Sequence, residues 1–315
     1  MAGYSDFVFR SICASFGASS ATSEMISAVA LTRNDEKTAA LAKISENDPP
    51  ISLQLFGHDP VIMASAAEIL LSGDFRGCSY AAPPAGIDIN MGCPVRKIVS
   101  SGDGSALMRD TPLAYNIVAS VKNVCEKYGV PLSVKFRLGW DEGSINAPEF
   151  AVALAKAGAD ILTLHCRTKE QMYAPAARPE YCKTVRAALD CAGFSSVTLI
   201  GNGDISCRED AEEYISLGCS SVSVGRAALG NPWIFSAIAS PDTFSEPSLD
   251  TRLSLIEKYI TAVVDEFGEE RGIRESRSRA AYLLHGIRGG AKVRDRLNHA
   301  ATLNDFLHEL YEIKV

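Results

Sequence analysis

The chain has no run of eighteen uninterrupted apolar residues, no C-x-x-C pair and no surplus of positive charge. Lacking the first, it offers no helix that could span a bilayer, and no membrane partner is expected. Lacking the second, its nine cysteines, an odd number, read as reduced thiols rather than as a disulfide framework, a zinc site or an iron–sulfur site. No metal is expected. A net charge of −7 means that the surface as a whole repels polyanions, so a nucleic-acid partner requires a local basic patch. The opening MAGYSDFVFRSICASFG also lacks the basic end, long apolar run and small-residue cleavage site of a secretory leader, which makes the cytoplasm the expected compartment.

What is present has the balance of a globular enzyme: 47% hydrophobic and 22% charged residues. A length of 315 residues accommodates one large domain of barrel size and a smaller appendage. Short apolar runs at 18–23, 51–55, 87–90, 132–137, 161–165, 197–201 and 220–224 read as seven parallel strands. Between them, stretches such as 113–128 and 147–157 return apolar residues every three or four positions, as packed helices require. Strand–helix alternation with polar residues at the strand ends predicts a (β/α)₈ TIM barrel.

An eighth strand is not found. Met1-Ala2-Gly3 reads as the end of a strand and its turn, because 4–16 already has helical spacing. The expectation is therefore a barrel that lacks its first strand, through truncation or a late start codon; an open or seven-stranded variant is the alternative. The alternation stops near Ser240-Pro241-Asp242, and 249–267, 276–286 and 303–313 have helical period. Two domains are predicted, a barrel over 1–242 and a small all-helical domain over 247–315. Residues 72–86 have the composition of a surface loop.

In such a barrel the chemistry sits at the carboxyl ends of the strands. Those ends carry Gln54, Asn90 with Cys93, Lys135 with Arg137, His165 with Arg167, Asn202-Gly203-Asp204 and Gly225-Arg226. The last two groups have the makings of an anion site, since glycine admits a phosphate to the backbone and Arg226 adds charge; Gly203 could equally serve a turn. Lys135 and Arg137 point to one side of their strand and need an anionic partner, either a ligand such as a reduced flavin or acids at the rim. His165 on its own reads as well as a satisfied core histidine. Cys93, between Gly92 and Pro94, is presented by a tight turn and could act as a general acid, or be an inert buried thiol.

Nine ordered blocks closely resemble the tRNA-dihydrouridine synthases. They are A-G-Y-S-D-x-x-F-R (2–10), S-E-M (23–25), Q-L-F-G (54–57), D-I-N-M-G-C-P-V-R-K (88–97), G-S-A-L-M (104–108), K-F-R-L-G-W (135–140), H-C-R-T (165–168), G-N-G-D-I (201–205) and G-R-A-A-L-G-N-P-W-I-F (225–235). The resemblance implies an FMN enzyme that takes hydride from NADPH and reduces the 5,6 double bond of a uracil in folded tRNA. It implies flavin contacts at Met1, Ala2, Gln54, Lys135, His165, Asn202, Gly203, Asp204, Gly225 and Arg226. It implies Cys93 as the acid that protonates carbon 5 while hydride reaches carbon 6, with Asn90 and Arg137 holding the uracil.

RNA affinity would come from the second domain. Between Arg271 and Arg296 stand eight cations against two acids, and with Lys97 near the acid, Arg279 and Arg288 are the expected phosphate contacts. The same segment could be a solvated helical face. Two features depart from the family pattern: the family's longer start, leading into L-A-P-M-A-G, is absent, and its R-K-H and Y-x-K-G stand here as Ser278-Arg279-Ala280-Ala281-Tyr282 and Gly286-Ile287-Arg288-Gly289. Rival readings are an FMN barrel acting on a free pyrimidine, as dihydroorotate dehydrogenases do, and an inactive RNA-binding homologue.

Overall fold

The computed structural model describes residues 3–313. Seven strands, β1 (Ala21–Ser27), β2 (Ile51–Phe56), β3 (Gly86–Met91), β4 (Leu132–Arg137), β5 (Ile161–His165), β6 (Thr198–Asn202) and β7 (Ser221–Ser223), form one sheet in sequence order. Every pairing is parallel and every crossover carries at least one helix, which is the winding of a (β/α)₈ barrel, here with seven strands among the described residues.

Alternation along the strands decides what faces what. Partners in a parallel ladder share a face, so Leu53 and Leu55, Ile87 and Ile89, Val134 and Phe136, and Leu162 and Leu164 form one apolar side, all fully buried. The helix Pro60–Ser72 packs on this side of β2, and the helix Thr111–Tyr128 on β3 and β4. Each buried leucine or isoleucine contributes roughly 1.5–3 kcal/mol to that packing. The opposite face carries Gln54, Asp88, Asn90, Ser133, Lys135, Arg137, Thr163, His165 and Asn202. The inner side of the sheet is thus polar along most of its width, and polar side chains out of water must find partners.

The first strand lies three residues later than its expected start, at Ala21–Ser27 rather than 18–23. Among the described residues it pairs only with β2, so it carries Ser23 and Glu24 without the two-sided apolar pattern that betrays inner strands. The helix expected at 4–16 is Phe7–Ser15. The loop expected at 72–86 does follow the helix Pro60–Ser72, which Asp59 caps through Val61 N and Ile62 N and which Gly73 ends at φ +68°.

By packing, the chain forms two compact units: residues up to Phe7 with Ser19–Gly225, and Val8–Ala18 with Arg226 onward. The second unit contains the helices Leu249–Phe267, Glu269–Leu283, Gly290–Leu297 and Leu303–Tyr311. The helix expected at 276–286 begins at Glu269, because its first turns are so polar that apolar period misses them. Gly272 sits there because a Cβ would lie 2.7 Å from Val264 Cα, so only glycine allows the two long helices to meet so closely. Among the described residues no helix is long and apolar enough to cross a membrane.

Candidate active site

The polar strand ends of the first unit interlock rather than project independently. Gln54 Nε2 donates to Asp88 Oδ2 at 2.6 Å, and Gln54 Oε1 accepts from Asn90 Nδ2 at 3.0 Å. Asn90 Oδ1 then accepts the backbone N–H groups of Gly92, at 3.1 Å, and Cys93, at 2.8 Å. An asparagine side chain folded onto the backbone two and three residues ahead makes an Asx turn, and this one reverses the chain directly after β3.

Cys93 is held from its other side as well. Its carbonyl accepts both the N–H of Ser105, at 3.1 Å, and the Ser105 hydroxyl, at 2.9 Å. Gly104, at φ +60°, permits this approach, since a Cβ there would stand 2.8 Å from the Cys93 carbonyl oxygen. The thiol residue is 9% exposed. Burial pushes its pKa up, against the backbone N–H of Val95 and the charges of Arg137 and Lys135, so at neutral pH the sulfur holds its proton.

Arg137 is buried and fastens the surroundings of Cys93. Its Nε donates to the Gly92 carbonyl at 2.7 Å, and its Nη1 donates to the carbonyls of Thr168 and Met172, at 2.9 and 3.1 Å. One guanidinium thereby ties the turn after β3 to the loop after β5. Lys135, on the same face, donates from Nζ to Asn202 Oδ1 at 2.9 Å, and Asn202 Nδ2 donates to the Ser223 carbonyl at 2.7 Å. Desolvation, then the neighbouring Arg137 charge, lower the Lys135 pKa to about 8, while the Asp88 carboxylate works the other way.

Behind Asn202 the chain turns through Gly203, at φ +130°, and Asp204, at φ +51°. A Cβ at Gly203 would lie 2.8 Å from Ala177 Cβ and 3.2 Å from His165 Cδ2. Tyr214 donates its hydroxyl to the Gly203 carbonyl at 2.8 Å, and its ring occupies the space that a Cβ at Gly201 would need. Asp204 pairs with the buried Arg167 and accepts the Ala177 N–H at 2.9 Å. Arg167 in turn donates to the Pro175 carbonyl at 2.7 Å and reaches His165 Nε2 at 3.4 Å. His165, half expected as a core histidine, is buried in this arginine-centred cluster.

Of the residues singled out in the sequence, Gln54, Asn90 and Cys93 fall in one hydrogen-bonded chain, Lys135 with Asn202 in a second, and His165, Arg167 and Asp204 in a third around Gly203. Met1 and Ala2 lie outside the described residues. Lys97 is exposed on the short helix Arg96–Val99, and Gly225 ends the first unit. Arg226 opens the second unit, where it lines a cavity of about 330 Å³ with Asn231, Trp233 and Arg252. The structure adds Asp88, Ser105 and Ser133 to these residues. Asp88 had a signal, since it stands two residues before Asn90 and strand alternation puts both on one face.

The basic segment of the second unit is smaller in effect than its count. Arg279, expected at the surface, is 2% exposed and stacks on the rings of Phe9, at 4.4 Å, and Tyr259, at 5.6 Å. Arg271 pairs with Glu275 and Arg296 with Glu309, while Arg277 and Arg294 donate to the Ala300 and Leu284 carbonyls. Arg274, Arg288 and Lys292 remain exposed, with no ion-pair partner among the described residues. Among those residues, too, no three His, Cys, Asp or Glu side chains are placed to hold a metal ion.

The chain matches the family described as dihydrouridine synthase (Dus) over residues 1–315. It is 32% identical to a probable tRNA-dihydrouridine synthase of Treponema pallidum (strain Nichols), over 97% of this chain and 89% of the relative. It is 32% identical to tRNA-dihydrouridine synthase B of Pseudomonas putida, over 95% of this chain and 85% of that protein. The corresponding protein of Pasteurella multocida (strain Pm70) is 33% identical over 95% and 86%. With agreement running the length of the chain rather than confined to the cysteine-bearing turn, this protein belongs to the dihydrouridine synthase family.

Proposed function

We propose that the chain is a flavin-dependent reductase that saturates the 5,6 double bond of a uridine in tRNA, with Cys93 as the acid. The observation that carries this reading is the setting of Cys93: a thiol that burial keeps protonated, fixed at the end of β3 on the strand next to Lys135 and Arg137. The family and the names of the relatives support the substrate class.

The residues present fit an FMN. Lys135 spends one of three ammonium donors on Asn202 and meets no other hydrogen-bond acceptor among the described residues, which suits an anionic flavin edge. Gly203 leaves bare backbone where a Cβ would crowd Ala177 and His165, which suits the close approach of a ligand. Gln54, Lys135, His165, Asn202 and Gly203 are the residues of the first unit that would hold it, and Asp204 would keep the turn in place through Arg167. The chemistry that FMN supplies when bound is hydride transfer to carbon 6 of the base, with NADPH as the hydride source.

The part of Cys93 is to give its proton to carbon 5. The carbon–carbon π bond is thereby replaced by two C–H bonds, and the sulfur recovers a proton from solvent. Arg137 and Lys135 favour the transient thiolate by their charge. Asn90 and Arg137 keep the turn aligned, since both spend donors or acceptors on it. A uridine in folded RNA reaches such a site only by leaving its stack, and Arg274, Arg288 and Lys292 are the cations suited to RNA phosphates.

The test is conversion of an unmodified tRNA transcript by the purified chain supplied with FMN and NADPH. Dihydrouridine in the RNA, with free uracil untouched, is the expected result. Reduction of free uracil with no change in the RNA would assign a free-pyrimidine enzyme, and failure to take up FMN would overturn the reading.

A further inference from the structure

We propose that Asp88 is a positioning residue for the proton donor, acting through a one-way chain of hydrogen bonds that ends at the Cys93 backbone; the inference rests on the reading of Cys93 as the acid. Asp88 is 3% exposed and lies below Asn90 on the polar face of β3. From it the links run Asp88 Oδ2 to Gln54 Nε2, Gln54 Oε1 to Asn90 Nδ2, and Asn90 Oδ1 to the N–H groups of residues 92 and 93.

The two ends differ in kind. Backbone N–H groups only donate, and an ionised carboxylate only accepts. Between them stand two amides, each with a donor end and an acceptor end of the same shape. One orientation of both amides satisfies every member, and turning either one sets donor against donor. The donor-only backbone at one end and the acceptor-only carboxylate at the other agree on that orientation, and an acceptor at position 88 leaves the chain no competing one.

A charge in this place costs solvation, and burial accordingly raises the pKa of Asp88, opposed by bonds from Ser133 and Gln54 and by the Lys135 charge. An asparagine would fill the same volume without that cost. It could also offer Gln54 either end of its amide, and the offer of an N–H would expel Gln54 Oε1 from Asn90 and leave the turn at Cys93 loosely held. The acceptor oxygen of Asp88 therefore has a task that shape alone does not perform.

The test compares wild type, Asp88→Asn and the double variant Asp88→Asn/Gln54→Glu. In the double variant the acceptor-only group moves one link nearer, where it takes an N–H from Asn90 and another from the amide introduced at position 88, with net charge unchanged. The readout is the rate at which iodoacetamide labels Cys93 in flavin-free protein, resolved from the other cysteines by peptide mass. Labelling is expected to rise at least about tenfold in Asp88→Asn, in keeping with the loss of a buried hydrogen-bond network, and to return toward wild type in the double variant. Should Asp88→Asn not accumulate as folded protein, the double variant is expected to fold and to keep slow labelling. Labelling of Asp88→Asn within twofold of wild type, or a double variant no better than the single one, would overturn the proposal. Single-turnover reduction of tRNA uridine should fall in parallel with faster labelling. If wild type makes no dihydrouridine, the functional reading fails while the labelling series still decides the role of Asp88.

Discussion

Lys135 Nζ meets Asn202 Oδ1 at 2.9 Å, a contact that reaches from β4 to β6 across the whole width of β5. It spans the polar face at the strand ends and keeps a cation over ground that also holds the buried thiol of Cys93. The same desolvation acts oppositely on the two groups, lowering the lysine and raising the thiol. Near pH 7 the lysine is charged and the thiol neutral, which is the pairing an anionic ligand and a proton donor require.

This ordering sets the alkaline limb of the pH profile. Four groups face the ammonium of Lys135: Arg137 on its own strand, Asp88 on β3, Cys93 beyond β3 and Cys166 beyond β5. With a pKa of about 8, Lys135 loses its charge as pH rises through that value, while Cys93, pushed above the ordinary thiol range, still holds its proton. Turnover should therefore fall through about pH 8 and track flavin affinity. Lys135→Arg, which stays charged, should move the limb upward. A limb unmoved in that variant would assign the titration elsewhere.

Cys93→Ala separates hydride chemistry from protonation. Flavin uptake and its bleaching by NADPH should persist, because Lys135, Asn202 and Gly203, the residues proposed to hold the flavin, are untouched. Uridine reduction in tRNA should slow by roughly 10²–10⁴-fold, the range of a lost general acid. Stopped-flow absorbance for the first half and dihydrouridine content for the second would check this. An unchanged yield removes Cys93 from the reaction.

Legibility in the sequence followed from how many neighbours each segment has. The strand at Leu132–Arg137 and the helix Leu249–Phe267 were recognisable to the residue, since each is packed along its length and its apolar period is unbroken. β1 starts later than its apolar run because, among the described residues, it pairs on one side only and needs less apolar surface, and Glu269–Leu283 starts earlier than its apolar period because its opening turn is held by charge and by the close approach at Gly272. Cys93 and Lys135 were visible as strand-end chemistry. For Asp88 the sequence offers only its place two residues before Asn90, since its partner Gln54 lies 34 residues away. Arg279 reads as a surface cation in the sequence for the same reason: charge counts cannot see Phe9 and Tyr259.

Gly203→Ala tests the close approach behind Asn202. The new methyl would stand 2.8 Å from Ala177 Cβ, at a φ of +130° that side chains rarely adopt. A destabilisation of roughly 1–3 kcal/mol follows from such strain. The midpoint of urea unfolding should drop, and FMN should be lost on gel filtration where wild type retains it. Equal midpoints and equal flavin content would mean that the 202–204 turn relaxes freely and has no such constraint.

The arginines of the second unit divide into two experimental classes. Arg279 is buried against two rings, so Arg279→Ala should unfold this unit more readily, by about 1–3 kcal/mol, the range for lost buried packing and polar contacts. Arg288→Ala and Lys292→Ala alter exposed side chains and should leave the melting temperature within a degree or two. They should instead weaken tRNA binding and reduce the slope of log affinity against log salt by roughly 0.7–0.9 for each phosphate contact removed. Filter binding across a salt series, beside thermal melts, separates the classes. A stable Arg279→Ala with a reduced salt slope would return that residue to the RNA surface, and unaltered slopes for Arg288→Ala and Lys292→Ala would move the RNA contact to another face.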